Sequence, residues 1–215
     1  MGTKVRKLEG TYRYLASGFL TLLISASLAV TAHSGQFEDA TAAYERGDYP
    51  TAFRLMKPLA EQGDAFAQYN LALFYSNGQG VPQDYAEAAK WYRKAAEQGD
   101  ADAQYNLALF YSNGQGVPQD YAEAAKWCRR AAEQGNTMAQ LNLGFMYGTG
   151  QGVPQDYVMA HMWYNLAASR LSPLEKEARE NALKNKDIAA SVMTAEQIAE
   201  AQRLAREWRP KKEER

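Results

Sequence analysis

A chain of 215 residues with 46% hydrophobic and 23% charged side chains sits in the ordinary globular range, which excludes a disordered polyelectrolyte and supplies enough apolar material for a sizeable core. The formal net charge is −1 and the one basic excess is the tail from Arg203 to Arg215, with six basic and three acidic residues, so no nucleic-acid partner is expected. Cys128 is the single cysteine, so no intrachain disulfide staples the fold and stability has to come from packing.

In chain order, Lys4, Arg6, Lys7 and Arg13 precede a 16-residue apolar run from Leu15 to Val30, followed by Val30-Thr31-Ala32. This pattern predicts a secretory signal peptide over residues 1–32, cut after Ala32, and hence an exported protein, periplasmic or secreted. The run is short and soft for a membrane-spanning helix, which needs about 20 apolar residues, so no stable membrane insertion is expected once the signal is cleaved; an uncleaved anchor is the alternative. Without residues 1–32 the chain holds 20 basic and 24 acidic side chains and is mildly acidic.

Residues 36–63 predict an N-terminal helical hairpin, a partial repeat with helices over Phe37 to Arg46 and Tyr49 to Gln62 joined by a compressed Gly47-Asp48 turn. Pro58 is expected to bend its second helix. A 36-residue repeat then dominates. Residues 64–99 and 100–135 match at 33 positions, differing only at Phe66/Asp102, Tyr92/Cys128 and Lys94/Arg130. A third copy over 136–171 keeps Ala139, Gln140, Asn142, Leu143, the Gly150 to Tyr157 run, Ala160 and Trp163. Repeats of this length bury little alone; stacked neighbours make one continuous core.

Each unit reads as two helices. The first runs from Ala65 to Ser76, capped by Asp64, with Ala67, Leu71, Phe74 and Tyr75 on one face. Gly78 and Gly80 stop it by taking positive backbone angles, and Val81-Pro82 prevents its resumption. Asp84 with Glu87 predicts a capping box for the second helix, whose buried stripe is Tyr85, Ala88, Ala89, Tyr92 and Ala96. The third unit has Asp156 but Met159 where the box glutamate stood. Alanines let the helix backbones approach closely while Leu71, Trp91 and Tyr85 fill the gaps. Beyond the repeats, residues 172–210 predict capping helices, the first starting at Ser172-Pro173-Leu174-Glu175 and the second at Thr194 with Gln197; residues 211–215 form a charged tail.

The run Ala-x-x-Asn-Leu-Ala-Leu-Phe-Tyr-x-x-Gly-x-Gly-Val-Pro-Gln-Asp-Tyr-x-x-Ala-x-x-Trp-x-x-x-Ala-Ala-Glu-Gln-Gly, from Ala67 to Gly99, resembles the Sel-1-like repeat family, which is related to tetratricopeptide repeats. The resemblance extends from Phe37 to about Arg170, and Met193-Thr194-x-Glu-Gln-Ile is similar to the C-terminal end of exported bacterial members. It implies an all-α fold, a right-handed α-solenoid of antiparallel helix pairs with a concave face, used mainly as an adaptor for protein complexes. Some exported members are cysteine-rich, with a disulfide closing each hairpin, and are linked to binding or hydrolysing β-lactams; a chain with Cys128 alone departs from that subgroup.

No Ser-x-x-Lys, Gly-x-Ser-x-Gly, His-Glu-x-x-His or Gly-x-x-x-x-Gly-Lys sequence occurs, so no catalytic residue is assigned and no cofactor is expected. His161 is the one interior histidine, and no paired metal-ligand spacing accompanies it, so no metal site is expected either. Cys128 takes the place of the buried-stripe Tyr92 and reads as an inert thiol despite Arg129 and Arg130 beside it. Trp91, Trp127 and Trp163 recur at one packing position and read as core.

A partner is expected on first-helix residues that avoid the packing face. These are Phe66, Tyr69, Asn70 and Leu73 in one unit, Asp102, Tyr105, Asn106 and Leu109 in the next, and Met138, Leu141, Asn142 and Phe145 in the third. The recurrent asparagine can hydrogen-bond an extended peptide backbone or brace adjacent repeats, and both roles stay open. The resulting expectation is a non-catalytic protein- or peptide-binding scaffold of the bacterial envelope, with a β-lactam- or peptidoglycan-acting hydrolase as the alternative. The oligomeric state is not legible.

Overall fold

The computed structural model describes residues 35–172 and 174–211. Residues 1–34, which include the expected signal peptide over 1–32, Pro173 and residues 212–215 lie outside the described residues. Ten helices follow one another without a strand among the described residues: α1 (35–45), α2 (Tyr49–Glu61), α3 (Ala65–Asn77), α4 (Tyr85–Glu97), α5 (Ala101–Asn113), α6 (Tyr121–Gln134), α7 (Thr137–Thr149), α8 (Tyr157–Arg170), α9 (Lys176–Ser191) and α10 (Ala195–Glu207). Helices α3/α4, α5/α6 and α7/α8 form the tightest pairs, and α2/α3, α4/α5 and α6/α7 join each pair to the next. The result is an all-α solenoid.

The repeat builds this architecture through the same residues each time. The Oδ1 atoms of Asp64, Asp100 and Asn136 accept from the backbone N–H groups of Ala67, Ala103 and Ala139 at 2.7, 2.7 and 2.8 Å, capping α3, α5 and α7. Gly78, Gly114 and Gly150 close those helices in the left-handed conformation, returning their N–H groups to Phe74, Phe110 and Met146. Between the caps, Leu71, Leu107 and Leu143 are fully buried, as are Ala67, Ala103 and Ala139. Each such leucine contributes roughly 1.5–3 kcal/mol by leaving water.

The second loop glycine locks neighbouring units together. Gly116 has φ +67°, and a Cβ there would run into the Tyr85 carbonyl at the start of the preceding unit's second helix. Gly80 meets Tyr49 and Gly152 meets Tyr121 in the same way. The repeated contact at Tyr49 shows that α1 and α2 form the first unit of the array, with Gly47 at φ +75° and Asp48 capping α2 through Thr51 N. Pro58 lies within the last turn of α2.

Three local expectations change. Tyr85 is 37% exposed and not on the buried stripe: as the first residue of α4 it stays at the surface, its hydroxyl accepting from Gln83 Nε2 and its ring edge-on to Phe110. The capping box at α4 is half made. Asp84 Oδ1 accepts from Ala86 N and Glu87 N, but the Glu87 carboxylate turns to Lys90, a cation one turn along its own helix. Helix α9 starts at Lys176, a turn later than expected, because Ser172 and Glu175 close a turn on themselves: Ser172 N donates to Glu175 Oε2 at 2.9 Å, and Glu175 N to Ser172 O. At Thr194 and Gln197, by contrast, the box is complete and starts α10.

Helix α8 packs against α7, α9 and α10. Its sequence therefore loses the polar face that α4 and α6 keep: His161, Met162, Trp163, Tyr164 and Leu166 are all buried. Trp208, at the end of α10, lies edge-on to Trp163 with Arg170 over its ring at 4.2 Å, and Lys211 N donates to Glu133 O. The C-terminal helices thus cover the last apolar face of the array.

Candidate functional site

The twelve first-helix positions lie at the edge of the core of α3, α5 and α7, and they do not all avoid the packing face: Tyr69, Leu73 and Tyr105 are partly buried against the core. Leu71, Ala72 and Phe74 are buried, while Asn70 just before them and Leu73 between Ala72 and Phe74 are half-buried. The same holds for Asn106 and Leu109 in α5. Phe66 and Phe145 are the open aromatic ends of the stripe, 52% and 49% exposed, and Asp102 is exposed between them. Phe66 meets the ring of Phe37 from α1 at 5.0 Å, so the first hairpin shapes that end. At the other end Met138 and Leu141 pack against Ala167, Ala168, Leu171 and Ala182, so the α8–α9 turn narrows access to the third unit.

The tyrosines and asparagines form a ladder between units. Asn142 Nδ2 reaches the Tyr105 hydroxyl at 3.5 Å, and Asn106 hydrogen-bonds the Tyr69 hydroxyl. Burial raises the Tyr69 phenol above its ordinary value, with the Asp102 and Asp100 charges adding to the shift and the Asn106 bond opposing it. Tyr105 is likewise raised by burial. Asn70 and Asn106 also donate back to Phe66 O and Asp102 O, at 2.8 and 2.9 Å. Asn136 Nδ2 adds a bond to Asp102 Oδ1 at 2.8 Å. A ligand reaching these amides meets groups already held in place by the neighbouring unit.

A second ladder escaped the sequence reading. Gln68, Gln104 and Gln140 are buried in α3, α5 and α7, each Nε2 donating to the preceding unit at Ala60 O, Ala96 O or Ala132 O. Gln98 and Gln134 then donate to Gln68 Oε1 and Gln104 Oε1, at 2.8 and 2.9 Å. The next member of that series is Arg170, which lies over Trp208 instead, and Gln140 Oε1 is left buried without a partner. The recurrence of a glutamine among apolar neighbours at one repeat position was the available signal.

The groups with nucleophilic or acid-base potential are dispersed. Cys128 is buried, its Sγ donating to Ala139 O at 3.2 Å, and burial pushes the thiol up to about 12. His161 is buried on α8 with Nδ1 unpartnered; burial lowers its pKa, the Lys186 charge adds to that, and Asp187 opposes it. Trp163 is core, as expected, and so is Trp127, while Trp91 is half-buried. Among the described residues no group of three His, Cys, Asp or Glu side chains is placed to hold a metal ion, and no helix is long and apolar enough to cross a membrane.

A comparison with curated proteins gave no match. Among solved structures, the chain is similar to a protective antigen present in uropathogenic Escherichia coli strains displaying an SLR fold: TM-score 0.70 and 34% identity, over 82% of this chain and 37% of that one. The chain therefore spans little more than a third of that antigen's length. It is also similar to a Sel1 repeat protein from Oxalobacter formigenes, with TM-score 0.62 and 29% identity over 79% of this chain and 74% of the other. The family model described as Sel1 repeat matches residues 34–64, 65–100, 101–136 and 137–170, which places α1 to α8 in four consecutive units. With its repeated caps, loop glycines and buried leucines matched along most of its length, the chain belongs to the Sel1 repeat family.

Proposed function

We propose that the protein is a non-catalytic scaffold of the bacterial envelope that holds a protein or peptide partner on the concave, first-helix side of the array. The observation that carries this reading is the stripe in which Phe66, Asp102 and Phe145 are exposed and Tyr69, Leu73, Tyr105 and Leu109 are half-buried beside them, apolar and aromatic side chains with part of their surface open to a partner. Aromatic and aliphatic anchors beside fixed amides suit an extended peptide, and a pre-ordered ladder reduces the ordering cost of binding. Sel1 repeat proteins are in general protein-interaction scaffolds, and that coarser role applies to this chain by membership.

The envelope location rests on the basic and apolar character of residues 1–32. Intact-mass analysis of the protein from its host tests it: a chain starting at His33 is expected, and a chain retaining residues 1–32 supports an anchor instead. The binding face is tested with Leu109→Glu, which places a charge on the stripe while Leu107 and Phe110 keep the core. Envelope proteins captured by the wild-type chain should be lost from this variant while its helical circular dichroism is unchanged; undiminished capture would move the site elsewhere. The hydrolase alternative gains no support from the placement of Cys128 and His161, both buried in separate parts of the packing.

A further inference from the structure

The mature chain is mildly acidic, yet the outward surface of its second helices gathers cations at the same repeat positions. Helix α4 exposes Lys90, Arg93 and Lys94, and α6 exposes Lys126, Arg129 and Arg130. Arg54 and Lys57 are exposed at the corresponding places in α2. In the third unit the equivalent side chains on α8 are covered by α9 and α10, so the series ends there.

Between α6 and the loop of the following unit lies a cavity of about 340 Å³, lined by Ala122, Ala125, Lys126, Arg129, Arg130 and the Gly152-Val153 turn. Its two guanidiniums are held by aromatic groups and not by carboxylates. Arg129 donates to the Tyr147 hydroxyl at 2.8 Å, and Arg130 lies over the Trp127 ring at 4.8 Å. Lys126 pairs with Glu123 at 2.9 Å, and Glu133, at the far end of α6, is taken up by Lys211. One unit earlier the arrangement recurs: Arg93 on the Tyr111 hydroxyl, Lys94 over Trp91 at 3.8 Å, Lys90 paired with Glu87, and Glu97 exposed in the last turn. A guanidinium fixed by a hydroxyl and a ring keeps its full charge and an oriented fork of donors, the geometry that a carboxylate accepts in bidentate fashion.

We propose that the outer surface of α4 and α6 is a repeated carboxylate-binding site that takes an acidic peptide segment of a protein partner. The fitting segment carries several Asp or Glu side chains, so that Arg93 and Arg129, each held on a tyrosine hydroxyl, can each meet a carboxylate. The apolar lining of the cavity, Ala122, Ala125, Gly152 and Val153, includes no aromatic or long aliphatic side chain to insert into lipid, which favours a peptide over a membrane. This site is separate from the first-helix stripe and stands or falls independently of it.

The test uses the full-length chain and a fluorescein-labelled twelve-residue Glu-rich peptide, followed by fluorescence anisotropy at low salt. Binding is expected, with at least a tenfold loss for the double variant Arg93→Gln/Arg129→Gln and a similar loss when Gln replaces Glu in the peptide. Asp102→Asn on the first-helix stripe should leave the affinity within twofold. Unchanged circular dichroism for the double variant separates lost binding from lost folding. No binding of the Glu peptide, equal binding by the double variant, or tighter binding to vesicles of anionic phospholipid than to the peptide would each overturn the proposal.

Discussion

A methyl group at Gly116 would collide with the Tyr85 carbonyl while forcing a positive φ on an L residue, and neither the helix start nor the loop can yield without breaking the stacking of units. Gly116→Ala is expected to cost about 2–3 kcal/mol in urea unfolding. Gly47, at similar φ but with open space around its Cβ position, should cost only about 1 kcal/mol when replaced by Ala. Cys128 gives a chemical counterpart. With its thiol pushed up to about 12 from an ordinary 9.0, its thiolate is roughly a thousandfold scarcer near neutral pH, so iodoacetamide should label it only after denaturation. His161 sets a pH dependence of definite sign. Its folded-state pKa is lowered, so the unfolded chain binds the proton more readily. Stability is complete above the ordinary value near 6.5 and falls as pH drops below it. Thermal melts between pH 7.5 and 5 should show this slope, and His161→Gln should flatten it.

At the level of the helices, buried amides join what the apolar residues align. Gln104→Leu removes the acceptor for Gln134 and the donor to Ala96 O, and should cost about 1–3 kcal/mol. Gln140→Leu removes an amide whose Oε1 already lacks a partner, and its urea midpoint should fall by less. The capping residues of the repeat helices were legible in the sequence because Asp64, Gly78 and Asp84 act through backbone groups a few residues away. Where two local arrangements compete, the outcome was not. Tyr85 looked apolar enough for the stripe but stands at a helix start, and Glu87 had a closer cation in Lys90. The start of α9 was set by a turn between Ser172 and Glu175 that competes with helix continuation. Periodicity separated the fully buried first-helix residues such as Leu71 from the partly exposed ones, but it did not show that Tyr69, Leu73 and Tyr105 also pack against the core. The Tyr–Asn ladder was not, because it joins residues of different units.

Across the whole molecule, the array is open along its helices and closed at its C-terminal end. Helix α8 gives up its polar face because α9 and α10 cover it, and Trp208 joins that cover to Trp163 and Arg170. Trp208→Ala should lower stability by about 3 kcal/mol and raise hydrogen exchange first in α8 and α10, with α3 and α4 little changed, as expected for an array in which each unit contacts only its neighbours. The two proposed sites lie on different helices of each pair, the stripe on α3, α5 and α7 and the cation row on α4 and α6, so a partner at one would not displace a partner at the other. The stripe is the central claim, and photocrosslinking in the native host tests it most directly, with a photoreactive residue at Asp102 and, as a control, at Glu177 on the exposed surface of α9. The account predicts a specific protein partner joined at 102 and absent at 177; no adduct at 102, with partners captured from 177, would contradict it.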